Sequence, residues 1–319
     1  VVAGVALASL AVAGFLSLAY GSISLSPAEV WTGLTSESDA YARAVVWQIR
    51  FPRFLDSMTV GASLAVAGVL LQGVTRNPLA DPTIMGVTAA AGLASSAAIV
   101  INPQTPQWAI AMVCVGGGLA GATAIFVIAW RGEMSPVRLA LAGVALSAFF
   151  GAFIVALLSS SRIFLQTSLG FLAGGLYGAE WRDFHAALPY FAGGSIGALL
   201  LAGRLNVLAL GDDVAAGLGV LTDRTRLLVL AVVGTLTAAA VSIAGLVSFV
   251  GLVCPHIARY FVGTDNRYVI PVAAILGAIL VSLADLIARV VIAPSEIPMG
   301  IVTAALGAPF LIYLLKSRT

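Results

Sequence analysis

An all-α polytopic membrane protein with about ten transmembrane helices is the fold class this sequence predicts, and three observations predict it. Hydrophobic residues make up 60% of the 319, and charged residues only 9%. An average soluble domain is about a quarter charged. The mean hydropathy is +1.06. Apolar runs near the ~20 residues that a membrane-crossing helix needs recur along the whole chain. Such a chain cannot bury its apolar surface as a soluble globule and still cover itself with charge. A cytosolic globular protein, a disordered chain and a nucleic-acid binder are thereby excluded. The runs also lack the alternation of a membrane β-barrel.

The elements follow in order. Val1 lies inside an apolar run that lacks the basic stretch and cleavage site of a signal peptide. Residues 1–20 are therefore expected to form a first membrane helix, with its cytoplasmic lead preceding Val1. Further crossings are predicted at 57–74, 83–101, 108–130, 137–158, 184–203, 227–243, 244–262, 269–291 and 298–315. A shorter, Gly-rich run at 163–178 reads as a re-entrant or interfacial helix. Around 242–255, Gly245, Gly251 and Pro255 interrupt a continuous apolar stretch. A tight reversal near 242–245 and a short helix ending at Pro255 are expected there. Irregular backbone at membrane depth survives only where protein or a water-filled cavity receives it, and helices broken in this way often line transport sites. Gly117 and Gly121, Gly170 and Gly174, and Gly193 and Gly197 form small-xxx-small pairs that let helices approach closely. Cys114 and Cys254 lie in apolar runs and are expected to pack as small hydrophobes. The whole of 1–319 is read as one transmembrane domain.

Arg and Lys in short loops set orientation. With the N-terminus in the cytoplasm, ten crossings return the C-terminus there, and the cytoplasmic side holds ten Arg and Lys against six outside. The bias favours N-in, C-in, but six outer positive charges exceed what the rule predicts.

Four polar landmarks stand out. In Arg50-Phe51-Pro52-Arg53, Pro52 is expected to hold Phe51 extended and to stop a helix from running through. The two arginines either snorkel at the interface or form a cationic docking site. Arg76-Asn77-Pro78-Leu79-Ala80-Asp81-Pro82 is a rigid cytoplasmic turn, read either as a plain loop or as a gate constriction. The cytoplasmic loop of about 204–226 offers Leu208, Leu210, Val214 and Leu218 outside the bilayer, and exposed apolar patches mark interfaces. In this loop, Gly211 precedes Asp212 and Asp213, which can begin a short helix. Asp285 and Arg289 share a helix face and can pair. His185 and His256 lack partners at metal-ligand spacing. No G-x-x-x-x-G-K-[ST] phosphate loop occurs, so the chain is not expected to hydrolyse ATP alone. It likewise lacks an H-E-x-x-H motif and intramembrane-protease signatures.

These blocks, with Trp47-Gln48-Ile49 ahead of the arginines, Leu141-Ala142-Gly143-Val144-Ala145, Asn206-Val207-Leu208-Ala209-Leu210-Gly211, Pro255-His256-Ile257-Ala258-Arg259 and Glu296-Ile297-Pro298-Met299-Gly300, occur in one order along the chain. In that order the sequence resembles the iron-chelate, haem and vitamin B12 permeases of bacterial type II ABC importers. The resemblance implies a homodimer of ten-helix subunits in the bacterial inner membrane. It also implies a periplasmic binding protein outside and two ATPase subunits inside. ATP and Mg would sit on those ATPases, no cofactor on this subunit, and the partners would be protein and membrane lipid rather than nucleic acid. Arg50, Arg53 and Arg289 match the positions that meet acidic residues of the binding protein. Leu205, Leu208, Ala209, Gly211, Asp212, Ala215, Leu218 and Gly219 match the family's coupling helices. Asn77, Pro78 and Leu79, with Ser135, Pro136, Val137 and Leu139, match its cytoplasmic gate. Arg162, near the outer end of the fifth helix, is a candidate partner for a substrate carboxylate such as a haem propionate. Haem and ferric siderophore stand close together as expected substrates, with haem slightly ahead and cobalamin behind. An ion-coupled secondary transporter is the rival class, and it predicts more buried ionisable groups than this chain shows.

Overall fold

The structure, a computed structural model, describes residues 2–21, 23–36, 39–131, 133–160 and 170–317. The described residues form an all-helical bundle apart from a two-residue ladder that pairs Trp130 with Met134. Helix α1 (Val2–Ala19) leads to a short helix α2 (Pro27–Thr35), which starts with a reciprocal capping box between Ser26 and Glu29. One turn, α3 (Ala40–Arg43), passes through a π-helical stretch (Ala44–Arg50) into α4 (Phe51–Thr75). Then come α5 (Val87–Ile101), α6 (Gln107–Ala129), α7 (Pro136–Ser160) and α8 (Trp181–Leu208). The short α9 (Asp212–Gly217), α10 (Thr222–Ala244), α11 (Val250–Val262), α12 (Asn266–Val290) and α13 (Met299–Ser317) complete the chain.

Among the described residues, six helices are long and apolar enough to cross a membrane, and shorter apolar helices lie at Gly4–Ala19, Val87–Ile101, Val250–Val262 and Met299–Leu314. Helix α4 is the mast. It is buried along nearly its whole length and packs against α8, α10, α11 and α12. Its crossings rely on glycine. A Cβ on Gly61 would collide with the backbone of Gly277 in α12, and one on Gly68 with that of Gly251 in α11. Helix α6 packs on α5 and α10, and α7 packs on α5. Cys114 and Cys254 are free and buried, as expected of small apolar packers.

Two proline expectations are corrected by the structure, for one physical reason. Pro52 does not stop a helix: Phe51 is helical (φ −69°, ψ −47°) and the chain is helical from Ala40 to Thr75. In the π register the absent Pro52 N–H would have served the Trp47 carbonyl, five residues back. That carbonyl instead accepts the indole N–H of Trp181, at 2.9 Å. Nor does a helix end at Pro255, which lies inside α11. The carbonyl it leaves unserved four residues back, on Gly251, accepts from Gln72 Nε2 of α4 at 3.1 Å. The actual break is at 245–249, with Gly245 at φ 68° and Phe249 at φ 70°. It is received by protein: Leu246 N–H donates to the Phe171 carbonyl, and Gly175 N–H to that of Ala244. Residues 170–173 are helical and lead into irregular backbone, while the earlier part of the Gly-rich run lies outside the described residues.

Candidate functional site: two charged networks at opposite ends of α4

The first network gathers at the N-terminal end of α4. Arg53 donates from Nη2 to Asp285 Oδ1 at 2.8 Å and pairs with Glu296 at 2.9 Å. Arg289 pairs with the other Asp285 oxygen at 3.1 Å, confirming the expected i,i+4 pair, and donates to Ser17 Oγ at 2.8 Å. Arg50 takes no carboxylate among the described residues. It donates to the Leu18 and Ala19 carbonyls at 2.6 and 2.8 Å and also to the Ile23 carbonyl. The carbonyls that α1 leaves unpaired at its C-terminal end thus receive a guanidinium, which is favourable at that pole. The three arginines that the resemblance marks as docking contacts are therefore brought together, but they are buried, at 5%, 9% and 4% exposure for Arg50, Arg53 and Arg289. Their charges are directed inward, onto α1, α12 and the segment after it. One turn inside Arg53, Asp56 is fully buried, and neither carboxylate oxygen has a hydrogen-bond partner among the described residues. No sequence pattern singled it out.

The second network closes the other end, about 37 Å away for 25 residues at an α-helix's ~1.5 Å rise. Asp212, the first residue of α9, accepts from Arg76 at the end of α4 and from Arg226 of α10, the latter at 2.7 Å. Arg76, in left-handed conformation at φ 49°, also donates to the Leu208 carbonyl at 3.0 Å. Arg226 is 2% exposed. One carboxylate therefore clamps the short helix to two membrane helices. Beside it, Arg259 of α11 donates to Gln72 Oε1. Asn206 donates to Asp265 Oδ1 at 2.6 Å and accepts from the Asn266 N–H at 2.9 Å. The Arg267 N–H and the Asn206 amide hold the half-buried Asp265 carboxyl below its ordinary value.

The short helix begins after Gly211, as the sequence predicts, because Gly211 takes φ 118°. The predicted coupling set divides. Ala209, Gly219 and Leu218 are exposed, and Gly211 and Asp212 are half-buried. Leu205, Leu208 and Ala215 are buried in the protein's own core, which corrects their reading as contact residues. Helix α8 simply runs on to Leu208 with one face inward. Leu210, Val214, Leu218 and Leu221, each about half to two-thirds exposed, form the apolar patch instead.

The gate residues divide in the same way. Asn77 Oδ1 accepts from the Leu79 N–H at 3.0 Å, so Asn77, Pro78 and Leu79 form a half-buried Asx turn. Ser135 and Pro136 are half-buried, Val137 is exposed, and Leu139 is fully buried in the core and so is not a lining residue. The loop reaches α7 beyond Leu139, where Ser147 Oγ donates to the Thr83 carbonyl at 3.0 Å. Arg162 lies outside the described residues. Sequence reasoning missed Gln72, Asp56 and the Arg226 clamp; a polar or charged residue in an apolar run was the only available signal.

A bundle of long apolar helices with one charged network on each end of a central mast has the form of an integral membrane protein. The comparisons with known proteins agree. The FecCD transport family matches over residues 9–317. The iron(3+)-hydroxamate import system permease protein FhuB of Bacillus subtilis is 38% identical, over 96% of this chain and 80% of its own. The cobalamin import system permease protein BtuC of Halobacterium salinarum is 42% identical over 87% and 74%. The Fe(3+) dicitrate transport system permease protein FecD of Escherichia coli is 40% identical over 85% of each chain. A solved structure described as an inward-facing metal-chelate type ABC transporter superposes with a TM-score of 0.85 and 31% identity, covering 98% of this chain and 97% of its own. The chain belongs to the FecCD transport family. It is a permease subunit of an ABC importer, and ATP hydrolysis lies with partner subunits.

Proposed function

We propose that this subunit carries a ferric chelate of the siderophore type across the inner membrane, working as a homodimer. All ten apolar helices cross the membrane, and both termini are cytoplasmic. The observation that carries this reading is the separation of chemistry along α4: a cationic network at one end and an apolar patch on a clamped short helix at the other. Relatives named for hydroxamate, citrate and cobalamin import support a bulky chelate. Haem loses its place in front, because its argument rested on Arg162 and the relatives do not favour it. Cobalamin is the second reading, since a cobalamin permease is 42% identical.

At the outer face, three arginines stand against two carboxylates, Asp285 and Glu296. The surplus positive charge attracts an acidic docking protein over the ~8 Å screening length of physiological salt. At the inner face, Leu210, Val214, Leu218 and Leu221 seat the ATPase. Closure of the ATPases on ATP moves α9, and Asp212 passes that motion to α4 and α10, so that the helices rock between two packings around a gate at 77–79 and 135–137. Val214→Asp with Leu218→Asp tests the inner face. The double variant should express and lose the ATPase on copurification; full retention of the ATPase would overturn this assignment.

A further inference from the structure

A second cationic site lies beside the short helix, and neither network uses it. A cavity of about 240 Å³ opens between the last turns of α8 and the first turn of α10. Arg204 and Arg224 line it, and no carboxylate does. Asp212 is engaged on Arg76 and Arg226, Asp223 on Arg226 and Asp265 on Asn206, while Asp213 is exposed on α9 and does not line the cavity. Neither Arg204 nor Arg224 has an acidic partner among the described residues. The N-terminus of α10 adds a second element of anion recognition, because Leu221 at its cap position supplies no side-chain acceptor for the first-turn amides. The helix is 23 residues long, so its positive pole is fully developed.

The level of the cavity selects the ligand. Arg204 and Arg224 stand where two long apolar spans, Trp181–Leu208 and Thr222–Ala244, end and begin. Leu227 and Leu228, each about 40% exposed, begin an exposed apolar face down the span. Guanidinium groups at the rim of the apolar layer, with leucines leading into it, match a phosphate headgroup with its acyl chains.

We propose that this cavity binds the headgroup phosphate of an anionic phospholipid from the leaflet on the coupling-helix side. The inference rests on the placement of that end at the cytoplasmic face and is independent of the transported substrate. The lipid closes the space between α8 and α10 and supplies the missing acceptor at the α10 N-terminus. It thereby props the segment that carries the ATPase-facing patch.

The test is native mass spectrometry of the full chain with its ATPase, in detergent, with phosphatidylglycerol or phosphatidylcholine of identical acyl chains. The wild type should retain phosphatidylglycerol preferentially, by roughly thirtyfold for two arginines near a surface at low salt. Arg204→Gln with Arg224→Gln should abolish the preference while the ATPase still copurifies, and the Lys pair should keep most of it. An equal preference in wild type and double variant would overturn the site. Displacement of the lipid by millimolar inorganic phosphate would overturn the headgroup assignment in favour of a free-anion site. Loss of the ATPase with unchanged lipid retention would make the arginines ATPase contacts instead. Transport failure alone would bear on the substrate reading and leave this readout unaffected.

Discussion

Replacing Asp285 with Asn isolates the most consequential feature of the outer network. Asp285 is 1% exposed and serves two arginines, Arg53 at 2.8 Å and Arg289 at 3.1 Å. A close ion pair attracts by about 4 kcal/mol at the effective dielectric of a protein, and part of that is offset by desolvation. Removing one member of a buried group leaves uncompensated charge and costs about 3–5 kcal/mol. Arg53 keeps Glu296, whereas Arg289 keeps only Ser17, so the loss falls mainly on the α12 to α1 contact. The melting temperature in detergent should fall by roughly 4–8 °C on soluble-protein scaling to 319 residues. A control replaces all three residues with apolar ones (Asp285→Leu, Arg53→Met, Arg289→Leu). It should recover most of the stability, since well-packed apolar substitutes for buried ion groups are often neutral. It should still impair docking of the binding protein, because the surplus positive charge is gone. An unchanged melting temperature for Asp285→Asn would refute the view that these arginines first hold the scaffold together.

Three further outcomes are expected. Gln72→Leu leaves the Gly251 carbonyl unpaired beside Pro255 and also removes the acceptor of Arg259, and the carbonyl's share should cost about 1–3 kcal/mol; adding Pro255→Ala supplies a helical N–H and should restore that share alone in a thermal-shift double-mutant cycle. Asp56→Leu removes a buried carboxylate without partners and should raise the melting temperature; if stability rises but uptake is lost, Asp56 acts in transport. Asp212→Asn weakens the clamp on Arg76 and the buried Arg226, so ATPase copurification should persist while stimulation of hydrolysis by the binding protein falls several-fold in a proteoliposome ATPase assay.

Local chemistry was legible in the sequence wherever its partners lie close in the chain. The Asp285 and Arg289 pair, the Gly211 break and the short helix after it all follow from neighbours within one turn. Tertiary partners were not legible. Pro52 and Pro255 read as helix stops because the donors that serve the carbonyls they leave spare, Trp181 to Trp47 and Gln72 to Gly251, lie 134 and 179 residues away in sequence. Arg53 read as an outward charge because Asp285 and Glu296 are 232 and 243 residues away. Leu205 and Leu208 read as a docking face because a loop boundary conceals how far α8 extends, and Ala215 because one turn of α9 does not show which side it turns inward. The family blocks mark the two ends of α4 without revealing which side chains face inward.

The most direct test of the central claim is uptake into proteoliposomes that hold this chain with its ATPase and binding protein. A ferric hydroxamate, ferric citrate, haem and cobalamin should be offered in parallel, with and without internal ATP. The account predicts ATP-dependent accumulation of a ferric chelate. Accumulation that ignores ATP and follows an imposed ion gradient would contradict it.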